Sequence, residues 1–170
     1  MNKIFLTVLI SLTLCFNGWG SIDLDGTDDA IDVAASTNLK ADTSYSYSLW
    51  IKTTDAGTPK EVAGMFAVTD GNGFPMVVRL GVQATAGRIG CLVYDGSTLV
   101  AAGSDTSSHA TVNDGAWHHI LCVNDQSNVT IWVDGSQGDS EDVSGLGSTA
   151  TTNDLRIGAR AATWFYDGDD

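Results

Sequence analysis

The chain has 170 residues and a formal net charge of −13 at pH 7, with 21 aspartates and glutamates against eight lysines and arginines. This charge argues against binding to nucleic acids or to anionic membrane surfaces, because both are held by a cationic protein face. A chain of this length is expected to form one domain. Glu61 and Glu141 are its two glutamates, and all its other acidic residues are aspartates. Aspartate is common in turns and in sites for hard cations, so the composition predicts a β-rich domain.

The first 20 residues are typical of a secretory signal peptide. Lys3 supplies a positive start, an apolar stretch covers 4–16, and small residues precede Ser21. This stretch is shorter than the ~20 residues that span a bilayer, so we expect a secreted mature chain, 21–170, without membrane insertion. A lipid-anchor signal at Cys15 is the disfavoured alternative, because such signals place a small residue where Leu14 stands.

Short apolar segments separated by glycine, aspartate, asparagine and serine make up the rest of the chain, and none has a persuasive helical pattern. The segment Tyr45–Lys52 alternates strictly, so it is a strand whose odd-numbered residues face the core. Further strands are predicted at 22–24, 30–33, 62–68, 76–80, 88–94, 98–102, 117–123, 129–133 and 155–157. The polar segments 103–111 and 135–153 are expected to be solvated loops. This spacing predicts an antiparallel sandwich or barrel.

Two cysteines, Cys91 and Cys122, remain once the signal segment is removed. Both lie in apolar strand segments, which leaves two alternatives open. They form a disulfide, which a secreted protein can keep, or they are two buried thiols that act as small hydrophobes. A bridge requires the two Cα atoms to lie within roughly 7 Å, and the sequence does not determine this distance.

Two adjacent histidines, His118 and His119, follow Trp117 at the start of a predicted hairpin whose turn covers 124–128. Successive side chains of a strand point to opposite faces, so a regular strand cannot direct both histidines to one metal ion. We therefore expect them to be hydrogen-bonded framework residues.

Four stretches carry a resemblance to a known family. They are SIDLDGTDDAIDV at 21–33, YSYSLWIKTTD at 45–55, VNDGAWHHILCVNDQSNVTIWVDG at 112–135 and LRIGAR at 155–160. In this order they resemble laminin G-like, concanavalin A-like jelly-roll domains, above all the branch that includes the pentraxins. The resemblance implies an all-β, two-sheet antiparallel jelly-roll sandwich over 21–170. It also implies that the final C-terminal strand is missing, because the chain stops at Asp170 where that strand is expected to begin.

The resemblance further implies a non-catalytic binding or adhesion module, often for carbohydrate and often with calcium. Glycoside hydrolases of the same fold are the enzymatic alternative, and they need two carboxylates that flank the sugar bond. The two glutamates are far apart in the sequence, and no predicted apolar strand carries alternating acids. We therefore expect no enzymatic activity.

Calcium is the candidate cofactor, because Ca²⁺ takes oxygen ligands from flexible loops that carry aspartate and asparagine. Asp70 and Asn72 lie in such a loop, 69–73, roughly where the pentraxin-like pattern has a pair of calcium ligands. An ordinary hairpin turn is the alternative at this place, and Asp25 with Asp167 is a rival pair of ligands.

Carbohydrate binding needs exposed aromatic rings beside polar groups, because rings stack on sugar faces while amides and carboxylates bind hydroxyls. The candidates are Trp50, Tyr94, Trp164 and Tyr166. The sequence thus predicts a secreted module that binds an extracellular glycan. A protein-binding adhesion module of a larger secreted protein is the alternative, and the sequence does not separate the two.

Overall fold

The computed structural model describes residues 21–24, 29–34, 44–55, 60–65, 74–81, 87–103, 111–149 and 155–158. Within these ranges the chain forms strands and no helix, so the described part contains no helix that could cross a membrane. The strands are β1 Ile31–Val33, β2 Tyr45–Lys52, β3 Lys60–Met65, β4 Phe74–Leu80, β5 Ile89–Tyr94, β6 Leu99–Ala102, β7 Trp117–Asn124, β8 Asn128–Val133, β9 Ser136–Asp142 and β10 Leu155–Ile157.

The strands form two antiparallel sheets. One has six strands in the order β1-β10-β3-β4-β5-β6, and the other has four in the order β2-β7-β8-β9. The predicted all-β antiparallel jelly-roll sandwich is confirmed. The first and last described strands are neighbours, with Asp32 opposite Arg156, and the guanidinium of Arg156 donates to both carboxylate oxygens of Asp32.

The core lies between the two sheets and follows the alternation of the strands. Ile51, the last apolar residue of the inward row of β2, is 3% exposed, and Tyr45, Tyr47 and Leu49 pack beside it. The fully buried residues from the two sheets include Val78, Ile89, Cys91, Val93, Ile120, Cys122, Val129 and Ile131. The predicted core face of Tyr45–Lys52 is therefore confirmed.

A disulfide between Cys91 and Cys122 joins the sheets through the middle of this core. Cys91 is on β5 and Cys122 is on β7, and their Cα atoms are 5.9 Å apart. Both residues are fully buried. The structure thus decides between the two alternatives that the sequence left open, in favour of the bridge.

The predictions for two segments were wrong. Residues 22–24 form no strand, although Leu24 is buried and would contact any side chain added at Gly158. Ser136–Asp142, predicted as part of a solvated loop, is the edge strand β9, and it pairs with β8. This strand has no apolar alternation, because an edge strand can carry polar residues on both faces.

Hydrogen bonds of polar side chains hold β9 in place. The hydroxyls of Thr130 and Ser140 are 2.7 Å apart, and the backbone N–H of Gly103 donates to Asp139 across to the other sheet, at 3.0 Å. The predicted signal segment 1–20 and the C-terminal residues 159–170, near which the final strand was expected, lie outside the described residues.

Removal of the disulfide by a double Cys91→Ala, Cys122→Ala replacement is expected to lower the free energy of unfolding by about 3–4 kcal/mol. The bridge closes a loop with a sequence separation of 31 residues, and its loss gives the unfolded chain more conformational freedom. For a domain of this size the melting temperature should fall by about 10 °C. Thermal melts of the parent chain and of the double variant, each with and without reductant, check this. Reductant should lower the midpoint of the parent chain, which has the disulfide, and leave the midpoint of the variant unchanged. An equal effect of reductant on both proteins would contradict the prediction.

Candidate functional site

An aromatic surface lies on the side of the four-stranded sheet that faces away from the core. Alternation along β2 and β7 directs Ser48, Trp50, Lys52, Trp117 and His119 to this side. The register places Trp50 opposite His119 and Lys52 opposite Trp117. We call these five residues the outer aromatic face.

The rings of the outer aromatic face are accessible and have polar neighbours. Trp50 is 63% exposed and Trp117 is 49% exposed. The Trp50 and His119 rings have centroids 5.2 Å apart with a tilt of 48°, and the Ser48 hydroxyl lies 2.9 Å from His119 Nε2. Exposed rings flanked by hydroxyl, imidazole and ammonium groups can stack on the apolar face of a sugar while the polar groups bind its hydroxyls.

On the opposite side of β7, His118 is held between two carboxylates, Asp114 and Asp134. His118 Nδ1 is 2.8 Å from Asp134 Oδ2, and Nε2 is 3.0 Å from Asp114 Oδ1. His118 is 8% exposed, and the other oxygen of Asp134 accepts the backbone N–H of His119 at 2.8 Å. The predicted placement of the two histidines on opposite faces is confirmed, and His118 is a hydrogen-bonded framework residue. We call Asp114, His118 and Asp134 the histidine clamp.

The charges of the histidine clamp support one another. Burial opposes the charged imidazolium of His118, but hydrogen bonds from it to Asp134 and Asp114 outweigh burial and raise its pKa. The same hydrogen bonds lower the pKa of Asp114 and of Asp134. The clamp therefore favours an imidazolium between two carboxylates, which fastens the 111–116 loop to the turn after β8.

Several aspartates have a structural task in turns. Each carboxylate accepts the backbone N–H of the residue two positions further along the chain. The acceptor and donor pairs are Asp95 with Ser97, Asp114 with Ala116, Asp125 with Ser127 and Asp142 with Ser144. Hydrogen bonds, led by those from Thr98, Asn128 and Ser144, lower the pKa of Asp95, Asp125 and Asp142 respectively. Among the described residues no group of three or more histidines, cysteines or acids could hold a metal ion.

The two sequence-predicted site residues that the structure describes, Trp50 and Tyr94, do not come together. Trp50 lies on the outer aromatic face, whereas Tyr94 lies on the other sheet. Tyr94 is half-buried against Val77 and Leu92, and its hydroxyl donates to the Gly96 carbonyl at 2.7 Å. Four other predicted residues lie outside the described residues, namely Trp164, Tyr166, Asp70 and Asn72.

Sequence reasoning missed Trp117 and His119 as members of the candidate site. The predicted alternation in 117–123 places both residues on one face of the strand, but it does not show which face points outward. Their proximity to Trp50 depends on the pairing of β2 with β7, and no local pattern specifies that pairing. The two glutamates lie in different sheets, Glu61 on β3 and Glu141 on β9.

Comparisons with known proteins agree on the fold. A laminin G family model, described as the concanavalin A-like lectin/glucanases superfamily, matches residues 25–169. Domains LG4-5 of the mouse laminin alpha1 chain are similar at 16% identity and a TM-score of 0.61, over 83% of this chain and 35% of that chain. The ligand binding domain of botulinum neurotoxin serotype D, in complex with N-acetylneuraminic acid, is similar at 16% identity and a TM-score of 0.61, over 81% and 33%.

The binding domain of paraclostridial mosquitocidal protein 1 is similar at 14% identity and a TM-score of 0.62, over 79% of this chain and 34% of that chain. This chain therefore spans about a third of the length of these solved chains. At such identities the likeness extends to the fold alone. No curated protein sequence matches the chain. The finer resemblance to the pentraxin branch stays a prediction.

The histidine clamp predicts that stability falls on the alkaline side. Because the pKa of His118 is raised in the folded state, its contribution is complete below the unfolded pKa of about 6.5 and is lost as the pH rises through the folded pKa. The lowered pKa values of Asp114 and Asp134 add stability that is present above about pH 3.9 and is lost as the pH falls.

Urea unfolding followed by tryptophan fluorescence from pH 5 to 9 measures this effect. His118→Gln should flatten the alkaline fall in the free energy of unfolding, whereas the neighbouring His119→Gln, on the outer aromatic face, serves as the control and should keep it. An unchanged pH profile in His118→Gln would show that the clamp has no such role.

Proposed function

Since the chain belongs to the laminin G-like family of the concanavalin A-like lectin/glucanase superfamily, we propose that it is a non-catalytic module that binds an extracellular glycan through the outer aromatic face. The observation that carries the proposal is the exposure of Trp50 and Trp117 on one sheet face beside His119, Ser48 and Lys52. Exposed apolar side chains that cluster on one face are typical of interaction sites, and here the rings stand beside groups that bind hydroxyls.

The expected ligand is a neutral glycan. The net charge of −13 repels sialylated and sulfated glycans at long range, and it lowers their local concentration near the protein. A flat, uncharged pyranose face can stack on the Trp50 ring, and the tilted His119 ring, with its centroid 5.2 Å away, offers ring nitrogens beside it. The neurotoxin domain bound to N-acetylneuraminic acid supports a glycan ligand for this fold. The charge of the present chain favours a different class of sugar.

Secretion is part of the proposal. Its supports are the signal-like residues 1–20 and the buried disulfide between Cys91 and Cys122, because disulfides persist in oxidising compartments. A protein ligand is the second candidate function. The same exposed tryptophans favour it, since aromatic residues are enriched at the centres of protein interfaces.

Trp50→Ala and Trp117→Ala are each expected to weaken binding to the best neutral glycan by about tenfold, because each replacement removes one stacking surface. Leu99→Ala is the matched control, since Leu99 is 51% exposed and lies on β6 in the other sheet. A glycan array that contains neutral, sialylated and sulfated members identifies the ligand, and calorimetry with the three variants gives the affinities.

Two results would overturn the carbohydrate proposal. One is the absence of any glycan binding by the parent chain. The other is a loss of affinity that is the same in Trp50→Ala and in Leu99→Ala. A parent chain that binds a protein from extracellular fluid but no glycan would favour the protein-binding function instead, provided that Trp50→Ala no longer binds that protein.

Calcium binding at Asp70 and Asn72 is a further part of the proposal, supported by the oxygen donors of the two side chains. Calcium at 100 times its Kd should add ~2.7 kcal/mol and raise the melting temperature by roughly 5–10 °C relative to excess EDTA. The rise should vanish in Asp70→Ala, and magnesium at the same concentration controls for ionic strength. A midpoint that is equal in calcium and in EDTA would remove calcium from the proposal.

A further inference from the structure

One carboxylate of the histidine clamp holds the chain on both sides of Trp117. Asp114 Oδ1 accepts the backbone N–H of Ala116 at 2.8 Å, and the same oxygen lies 3.0 Å from His118 Nε2. Ala116 and His118 directly precede and follow Trp117 in the sequence. Asp114 therefore fixes the position of the first aromatic residue of β7 without contact to its ring.

The other carboxylate of the clamp holds His119. The backbone N–H of Asp134 donates to the His119 carbonyl at 2.9 Å, and Asp134 Oδ1 accepts the His119 N–H at 2.8 Å. Trp117 and His119 are the two residues that β7 contributes to the outer aromatic face. His118, on the reverse side of the strand, thus connects the carboxylates that support both of them.

The proton on His118 determines whether both carboxylates can stay in contact with its ring. An imidazolium has two N–H donors, one for each carboxylate, whereas a neutral imidazole has one N–H donor and one lone pair. A lone pair that faces a carboxylate oxygen repels it, and solvent screens this repulsion only weakly because His118 is buried. One of the two contacts is therefore lost when His118 is neutral.

Asp114 is the carboxylate that a neutral ring releases. Asp134 is tied to β7 by its two backbone contacts with His119, and its distance to His118 Nδ1, 2.8 Å, is the shorter of the two. Asp114 belongs to a loop, and its side chain is 57% exposed, so water can solvate the carboxylate once it turns away. The neutral ring thus keeps its proton on Nδ1, where it donates to Asp134.

The charges that act on His118 in the described part of the chain come from the clamp itself. Burial lowers the pKa of His118, but the hydrogen bonds and charges of the two clamp carboxylates outweigh burial and raise it. The residue opposite His118 on β2 is Ile51, which is apolar. The titratable side chains of Lys52 and His119 belong to the outer aromatic face, on the other side of the sheet. The state of the clamp therefore follows the titration of His118.

We propose that the histidine clamp makes the outer aromatic face sensitive to pH by controlling the order of Trp117. When His118 is protonated, Asp114 holds the chain on both sides of Trp117. When His118 is neutral, Asp114 turns away and Trp117 becomes mobile. Asp134 keeps His119 in place in both states.

The change is confined to Trp117 and its neighbours. The loop before β7 stays attached when Asp114 turns away, because two of its backbone N–H groups, those of Val112 and Gly115, still donate to carbonyls outside the loop. The consequence for binding rests on the function proposed above, since a ligand that contacts Trp117 must then order that ring and loses affinity. The outer aromatic face is fully formed while His118 is charged and only partly formed when it is neutral.

The test is NMR on the full chain, labelled with ¹³C and ¹⁵N and free of any ligand, from pH 6 to pH 9.5. Relaxation of the indole Cδ1–H groups measures the order of Trp117 and of Trp50, and the Cε1–H signal of His118 reports its titration. We expect the order parameter of Trp117 to fall towards the range of flexible groups, below about 0.6, with the midpoint of the His118 titration. Trp50 should keep its order throughout, and unchanged backbone signals of β5 show that the chain stays folded.

Two variants and one matched control connect the effect to the clamp. His118→Gln should leave Trp117 mobile at every pH, because a glutamine amide has no positive charge to hold both carboxylates. Asp114→Asn should flatten the pH profile of Trp117, because a neutral ring repels an uncharged amide less. The control is Asp125→Asn, which makes the same change of charge at a carboxylate that also accepts backbone N–H groups, in the turn between β7 and β8. It should keep the full profile.

The proposal is overturned if Trp117 keeps its order from pH 6 to pH 9.5 in the parent chain, if it is as ordered in His118→Gln as in the parent chain at pH 6, or if Trp50 loses order together with it. A profile that is flattened equally by Asp125→Asn and by Asp114→Asn would also overturn it. If His118→Gln does not fold, the parent chain and the two aspartate variants decide the question.

The outcome is distinguishable from that of the proposed function, because no ligand takes part in the test. A chain that binds no glycan but shows the expected change in Trp117 would lose the binding function and keep the pH-sensitive face. A chain that binds a glycan equally well at pH 6 and pH 9.5, with Trp117 ordered at both, would keep the function and lose this inference.

Discussion

Strands β2 and β7 pair antiparallel from Tyr45 opposite Asn124 to Lys52 opposite Trp117, and both sides of the four-stranded sheet depend on this register. It turns Ile51 and His118 towards the core, while it turns their chain neighbours towards solvent. A slip of one residue would exchange the two faces, burying the exposed tryptophan of β2 and exposing its tyrosines. The interior prevents this slip, because the core row of β2 packs between the sheets with Ile51 almost completely buried. The outer aromatic face is thus positioned by the packing on its reverse side.

The sequence was sufficient wherever a local period determines the structure. Strict alternation identified the strand Tyr45–Lys52 and its inward face. Alternation in 117–123 identified a second strand with its two histidines on opposite faces, and motif order identified the family. Contacts between segments that are distant in the sequence could not be predicted from local patterns. The distance between Cys91 and Cys122 depends on how the sheets stack, and the neighbours of Trp50 depend on strand pairing. Strand β9 was not predicted for a different reason, because its polar residues at the sheet edge show no apolar alternation.

The abundance of aspartate had two interpretations at the level of sequence, a cation site or a set of turns. In the described part of the chain the turns account for much of it, because carboxylates such as those of Asp95 and Asp125 accept several backbone N–H groups each. An aspartate engaged in this way keeps its negative charge and still stabilises the loop. The same residues therefore shape the turns and maintain the net charge that disfavours anionic ligands.

Strand β9 has a consequence for how the molecule behaves at high concentration. A sheet with exposed tryptophans on one face and an unpaired edge strand can aggregate, because strands of other copies can pair with that edge. Here the β9 edge carries Asp139, Glu141 and Asp142 in a segment without a large apolar side chain, and Asp139 is engaged with the opposite sheet. Like charges on two such edges repel, so growth of the sheet across β9 is opposed. The acidic edge thereby opposes aggregation of a sheet that leaves two tryptophans exposed on its outer face.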